Sequence, residues 1–152
     1  MQDCGRGSPD AAVRFGIAGN STGIVLASAS GNKIRGAQYG GIMINTASWF
    51  AADNNEIIDC NRSNTIYSGG ANDYRVSGIC AFGASNGAIR GNYVANVFGG
   101  HTKYGVAVGA THTIDVWIPG TFPGTPHTTN RFAGIETANM LNPNGDGTVM
   151  TV

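Results

Sequence analysis

Carboxylates are few in this 152-residue chain, and three of its nine fall close together. They are Asp53, Glu56 and Asp59, in "ADNNEIIDC". Two such groups can divide the acid–base work on a glycosidic bond, at about 5–5.5 Å apart for retention or about 6.5–9.5 Å for inversion. Glu56 and Asp59 are three apart on an expected strand, so their side chains leave opposite faces and make no pair. A pair needs Asp53 with Glu56 across a turn, or Asp73 brought in from "SNTIYSGGANDYRVS" (residues 63–77). Asp53, Glu56 and Asp73 are therefore the candidate catalytic acids. A turn cap for Asp53 and a charge ladder for Glu56 account for the same residues without catalysis.

Sugar recognition has more raw material. Trp49, Phe50, Tyr67, Tyr74, Tyr93 and Tyr104 fall near expected turns or strand ends. An aromatic face with amide and guanidinium donors suits a ring that is apolar on one side and hydroxylated at its edge. Tyr67, Tyr74 and Arg75 cluster in residues 63–77; with Trp49 they are the candidate substrate-binding residues. The alternative is that these aromatics cover the protein's own surface. His101, His112 and His127 have no ligand spacing, so no metal site is expected. Cys4, Cys60 and Cys80, odd in number and irregularly spaced, read as free thiols made in a reducing compartment. No G-x-S-x-G elbow is present, and no cofactor motif is found.

Nine basic residues balance nine acidic ones, and only 12% of residues are charged. No basic face for nucleic acid and no basic amphipathic stretch for a membrane surface is visible. No run approaches the ~20 apolar residues of a membrane span, and "MQDCGRGSPDAAVRFG" has no apolar signal core. The 24 Gly and 15 Asn favour tight turns over helices.

The elements that must position these residues come from a repeat. "GIVLASASGNKIRG" (23–36) and "GICAFGASNGAIRG" (78–91) agree at seven of fourteen places without a gap. The frame G-I-x4-A-S starts at Gly23, Gly41 and Gly78, with a weaker copy at Gly105. The steps of 18 and 37 suggest a period near 18, the longer step spanning two. Short Ile/Val-rich runs punctuated by Gly, Asn and Ser read as strands and turns. Self-similarity at about 20 residues points to a solenoid, and with only Leu26 and Leu141 a leucine-rich repeat is excluded. The expected fold is all-β, a right-handed parallel β-helix of four to five coils; a β-sandwich that reuses a turn is the alternative. The organisation expected is an N-terminal segment over 1–22, the β-helix over 23–117, and a Pro/Gly-rich loop, a possible last strand and a tail over 118–152. Residues 63–77 are either a weak coil or a loop leaving the solenoid.

Stacking predicts one inward ladder of Ile24, Ile42, Ile79 and Val106, and another of Ile34, Ile57 and Ile89. Asn32, Asn55, Asn61, Asn92 and Asn96 fall near strand ends, where stacked amides hydrogen-bond along the axis. Lys33 is placed over Glu56.

The Gly-Ile starts and the runs "GNKIRG", "NNEIIDCN" and "IRGNYVANV" resemble the repeats of the pectate-lyase-like parallel β-helix superfamily, most of all the distal part of a bacteriophage tailspike. The resemblance covers residue 23 to about 108. It implies a homotrimer in a virion tail, made in the host cytoplasm and acting outside the cell. Such a protein binds, and often cleaves, bacterial surface polysaccharide. Against several hundred residues for whole tailspikes, it also implies a fragment or a small stand-alone subunit. No catalytic motif of that family is found to carry over. Alternation turns Val25, Met43, Cys80 and Ala107 outward, an apolar stripe suited to a threefold interface, or to cover by a tail (111–152) folding back.

Overall fold

The computed structural model of the chain describes residues 12–15, 26–44, 47–64, 74–81, 84–108, 113–118, 129–141 and 149–151. The described residues form a parallel β-helix of five coils. The first coil carries β1 (Val13–Phe15), β2 (Leu26–Ser30) and β3 (Lys33–Arg35). The second carries β4 (Ile42–Ile44), β5 (Ala47–Asp53) and β6 (Glu56–Ile58), and the third β7 (Ser77–Ala81), β8 (Ala84–Arg90) and β9 (Tyr93–Ala95). Next come β10 (Tyr104–Val108), β11 (Thr113–Ile118) and β12 (Arg131–Ala133), then β13 (Ala138–Leu141) and β14 (Val149–Thr151). Like strands stack into three parallel sheets, ordered β1-β4-β7-β10-β13, β2-β5-β8-β11-β14 and β3-β6-β9-β12. We call these the first, second and third sheets. Strands therefore also lie in the segments read above as cap and tail.

Inward residues form ladders. Ile42 stands opposite Ile79 and Ile79 opposite Val106, as the repeat predicts. Ile24 lies outside the described residues; the rung before Ile42 is Val13. The Ile34–Ile57 ladder continues through Val94 and Phe132, not Ile89. Ile89 sits in the second sheet beside Ala52. The reason is local: "GAIRGNYVANV" turns a corner at Gly91–Asn92 and so belongs to two strands. Phe50, Ile34, Ile42, Ile57, Ile79, Ile89, Val94 and Val106 close the core.

The Gly-Ile start has a packing cause. A Cβ on Gly78 would lie 2.4 Å from Val94 Cγ1 and 2.8 Å from the Gly105 carbonyl oxygen, and one on Gly41 would lie 2.5 Å from the Gly78 oxygen. The second, third and fourth coils, with Gly41, Gly78 and Gly105, enter the first sheet through a gap that only hydrogen fills.

The corner between the second and third sheets is equally explicit. Gly31, Asn54 and Gly91 adopt φ of 66°, 54° and 67°, the left-handed region that Gly and Asn tolerate best. After each comes a ladder asparagine: Asn32 Nδ2 donates to Asn55 Oδ1 (2.9 Å), Asn55 Nδ2 to Asn92 Oδ1 (2.8 Å) and Asn92 Nδ2 to Asn130 Oδ1 (2.8 Å). Each Oδ1 also accepts the preceding asparagine's backbone N–H, at 2.9, 2.9 and 3.1 Å. Asn61 and Asn96 do not join this ladder. Their amides donate to the carbonyls of His101, and of Thr102 and Gly134.

The step of 37 is one coil rather than two: β4 pairs directly with β7, β5 with β8 and β6 with β9. The segment between β6 and β7 therefore adds no coil to the stack, and its residues 65–73 lie outside the described residues. It returns through a 3₁₀ turn at Tyr74–Val76.

Met43, Cys80 and Ala107 share the outward register of the first sheet, yet they are 4, 1 and 0% exposed in the single chain. The stripe expected to be open for a threefold interface is covered within one molecule. The tail does not supply this cover through its described strands, because β13 and β14 extend the first and second sheets edge-on. Val25 lies outside the described residues; the rung before Met43 is Arg14.

Candidate functional site

Strand β5 ends at the asparagine corner, and this places the acids. Asp53, at its last position, stands between Ser30 and Arg90. Its carboxylate accepts Arg90 Nε at 2.8 Å and Nη2 at 3.3 Å, a two-point pair that raises the arginine's pKa. Glu56 opens β6 after the turn. It accepts Arg35 Nη2 at 2.7 Å, which holds its carboxyl below the usual range, with smaller pulls from the Arg35 and Lys33 charges. Lys33 stands opposite Glu56, as the sequence predicts, but the short ion pair is the diagonal one with Arg35. The corner thus sets the two acids on either side of one turn, each bound to an arginine on a different neighbouring coil. A glycosidase acid needs a carboxyl held protonated; Glu56 is pushed the other way. Asp73 and Tyr67 lie outside the described residues.

Beside this corner runs a cleft of about 230 Å³ lined by Gly31, Lys33, Asn54, Glu56, Tyr93 and Arg131, with Asn32 and Asn55 in its floor. Register explains the lining. Lys33 faces Glu56, Glu56 faces Tyr93, and Tyr93 faces Arg131, so one column crosses four coils. Strands spaced about 4.8 Å apart make that column about 14 Å long. The Arg131 guanidinium lies over the Tyr93 ring, 5.5 Å from its centroid. Cation–π contact favours this placement of the charge over the ring. The polar, charged column, with one aromatic and fixed backbone, can bind an extended hydroxylated chain.

Of the other binding candidates, Trp49 is 40% exposed on the outer face of the second sheet, between Leu26 and Asn86. It shares the outward side of β5 with Asp53, four residues along, or about 13 Å. Tyr74 and Arg75 sit in the 3₁₀ turn that leads into the first sheet, away from the asparagine corner. The structure therefore brings Asp53, Glu56 and Trp49 onto adjoining surfaces and leaves Tyr74 and Arg75 elsewhere. Sequence reasoning did not single out Lys33 or Arg131 as site residues. A signal existed: each column residue directly follows a ladder asparagine, in "NK", "NE", "NY" and "NR".

Among the described residues, no group of three or more His, Cys, Asp or Glu is placed to hold a metal ion, and no helix is long and apolar enough to cross a membrane. Cys60 is fully buried, and desolvation, aided by the Asp59 charge, pushes its thiol up to about 12. No family model, no curated protein and no solved structure matches the chain, so fold and site geometry carry the functional reading.

Proposed function

We propose that the protein is a polysaccharide-binding β-helix module, with a glycan strand lying along the Lys33–Glu56–Tyr93–Arg131 column. The carrying observation is the ordered column itself, an aromatic and three charged side chains in register beside the asparagine ladder. Parallel β-helices often bind carbohydrate, and a straight groove along the coil axis fits an extended polymer. The finer reading is a tailspike-like virion-fibre module acting outside the cell on bacterial surface polysaccharide. It is supported by the resemblance of the repeats. Assembly as a homotrimer has that support alone, since Met43, Cys80 and Ala107 are already covered within one chain.

The test is a microarray of purified bacterial capsular and O-antigen polysaccharides probed with the full chain, with Tyr93→Ala, with Arg131→Ala and with the two combined. Both side chains are at the surface, so folding should be retained. Loss of an aromatic contact, worth about 1 kcal/mol, predicts binding at least roughly fivefold weaker for either variant. Undiminished binding in the double variant removes the column from the site.

A further inference from the structure

At the opposite edge of the third sheet, a second corner is built around one buried acid. Asp59, 6% exposed, has a left-handed φ of 57°. Its Oδ1 accepts the backbone N–H groups of Val97 (2.6 Å), Phe98 (2.9 Å) and Gly100 (3.3 Å), and Oδ2 accepts that of Phe98 (3.1 Å). Burial alone would raise the carboxyl's pKa; these three donors outweigh it and hold the group ionised. A Cβ on Gly100 would lie 2.2 Å from Asp59 Cα, so the turn sits directly on the acid. Asn96 closes its base, accepting Thr102 N–H at 3.1 Å and donating to the Gly134 carbonyl at 2.9 Å.

This fixed turn holds Phe98 75% exposed and Val97 51% exposed. On its outgoing limb, His101 Nδ1 meets Glu136 Oε1 at 2.6 Å, and Lys103 Nζ donates to the other oxygen of Glu136 and, at 3.3 Å, to Asn64 Oδ1. An ionised carboxylate only accepts, so Nδ1 carries the hydrogen and Nε2 is the ring's remaining polar atom. Two apolar side chains fall far short of the ~800 Å² per partner of a stable protein interface. An aromatic side chain on a turn whose backbone is fixed by Asp59, three residues before His101, instead matches one sugar ring, apolar on its face and hydroxylated at its edge.

We propose that the Val97–Gly100 turn is a second saccharide site, separate from the asparagine-corner cleft, in which a pyranose stacks on Phe98 and bonds through its hydroxyls to His101 Nε2 and the Glu136 carboxylate. It deepens the polysaccharide reading by placing two contacts on opposite edges of one sheet.

The experiment is NMR titration of the isotope-labelled full chain with the methyl glycosides of glucose, galactose, mannose, rhamnose, N-acetylglucosamine and glucuronic acid. At least one should move the Phe98 ring and His101 signals together and saturably. Phe98→Ala should weaken that response at least tenfold with an unchanged melting curve, and His101→Gln about threefold. Tyr93 and Arg131 signals report the cleft in the same spectra. Shifts confined to them leave the cleft reading standing and overturn this site; shifts confined to Phe98 and His101 do the reverse. The site is also overturned if no glycoside moves Phe98, if the His101 response survives Phe98→Ala, or if Phe98→Ala lowers the mass seen by light scattering, which assigns the turn to a second copy of the chain.

Discussion

Replacing Asn92 by alanine should be among the most damaging polar substitutions in this chain. The side chain is fully buried. Its Oδ1 accepts Asn55 N–H and Nδ2 at 2.9 and 2.8 Å. Its Nδ2 donates to the carbonyls of Ala52 and Arg90 and to Asn130 Oδ1, at 2.8, 3.1 and 2.8 Å. Two of these partners keep other bonds after the change: Asn55 Nδ2 retains Ala29 O, and Asn130 Oδ1 retains the Asn92 backbone N–H. The Asn55 backbone N–H loses its amide acceptor, and the Ala52 carbonyl loses a donor. An orphaned buried group costs about 1–3 kcal/mol, so the variant should lose about 2–5 kcal/mol. That is a large part of the ~5–15 kcal/mol that holds a domain of this size. Asn32 supplies the control. It occupies the end rung, is only half-buried, and gives up donors without orphaning a neighbour's backbone; Asn32→Ala should lose about 1 kcal/mol or less. Urea unfolding followed by circular dichroism reads both, with an unchanged m-value confirming a stability effect. Equal losses for the two variants, or a loss under ~1 kcal/mol for Asn92→Ala, would refute the ladder as the fixing element of this corner.

Gly78→Ala should cost about 1–3 kcal/mol by forcing a methyl against Val94 and the Gly105 carbonyl. Gly31→Asn should be nearly neutral in the same urea assay, because Asn54 already holds the equivalent left-handed position. Burial raises Glu136, but hydrogen bonds from Lys103 and His101 outweigh it, so Glu56, Asp59 and Glu136 all have lowered pKa values in the fold. Their stabilisation is therefore complete at neutral pH and is lost as pH falls through ~4 and below, where the unfolded chain takes up protons first. A melting temperature that stays flat from pH 6 to pH 3 contradicts this. The Cys60 thiol, raised to about 12 and fully buried, should resist a disulfide reagent in the native protein and react at once in denaturant, as mass spectrometry of the labelled peptide would show. Ile42→Asp sets an unpaired charge beside Ile79 in the inward ladder and should leave no cooperative melting transition.

Much of the architecture was legible because a solenoid writes the same physical demand once per coil. The Ile42–Ile79–Val106 ladder, the Asn32–Asn55–Asn92 stack and Lys33 over Glu56 all follow from residue type and spacing. The gapless match over 55 residues misled at one point. It equates Arg35 with Arg90, whereas Arg35 closes a strand of the third sheet and Arg90 one of the second. The true equivalence runs through the corner asparagines, Asn32 to Asn55 to Asn92, and a shared "IRG" obscures it. The site was less legible than the fold. Arg131 belongs beside Tyr93 only once Asn130 is recognised as a ladder residue, and it follows a proline-rich stretch that reads as loop. The sequence left the covering of Met43 and Cys80 open between a second copy and the chain's own tail, since alternation fixes which way a side chain points but not what lies over it.

The asparagine ladder also bears on how such a chain can change over evolutionary or laboratory time. Its rungs join residues 23, 37 and 38 positions apart, yet the hydrogen-bond lengths are nearly the same, 2.9, 2.8 and 2.8 Å. Register is thus enforced locally, whatever the length of chain between two rungs. Loop closure grows only as about (3/2)RT ln n, so doubling an excursion costs about 0.6 kcal/mol. Coils of this kind work as a chassis with interchangeable outgrowths. New loops can be grafted between Asn64 and Tyr74, or between Ile118 and Thr129, without renegotiating the stack, provided the corner asparagine and the first-sheet glycine are kept.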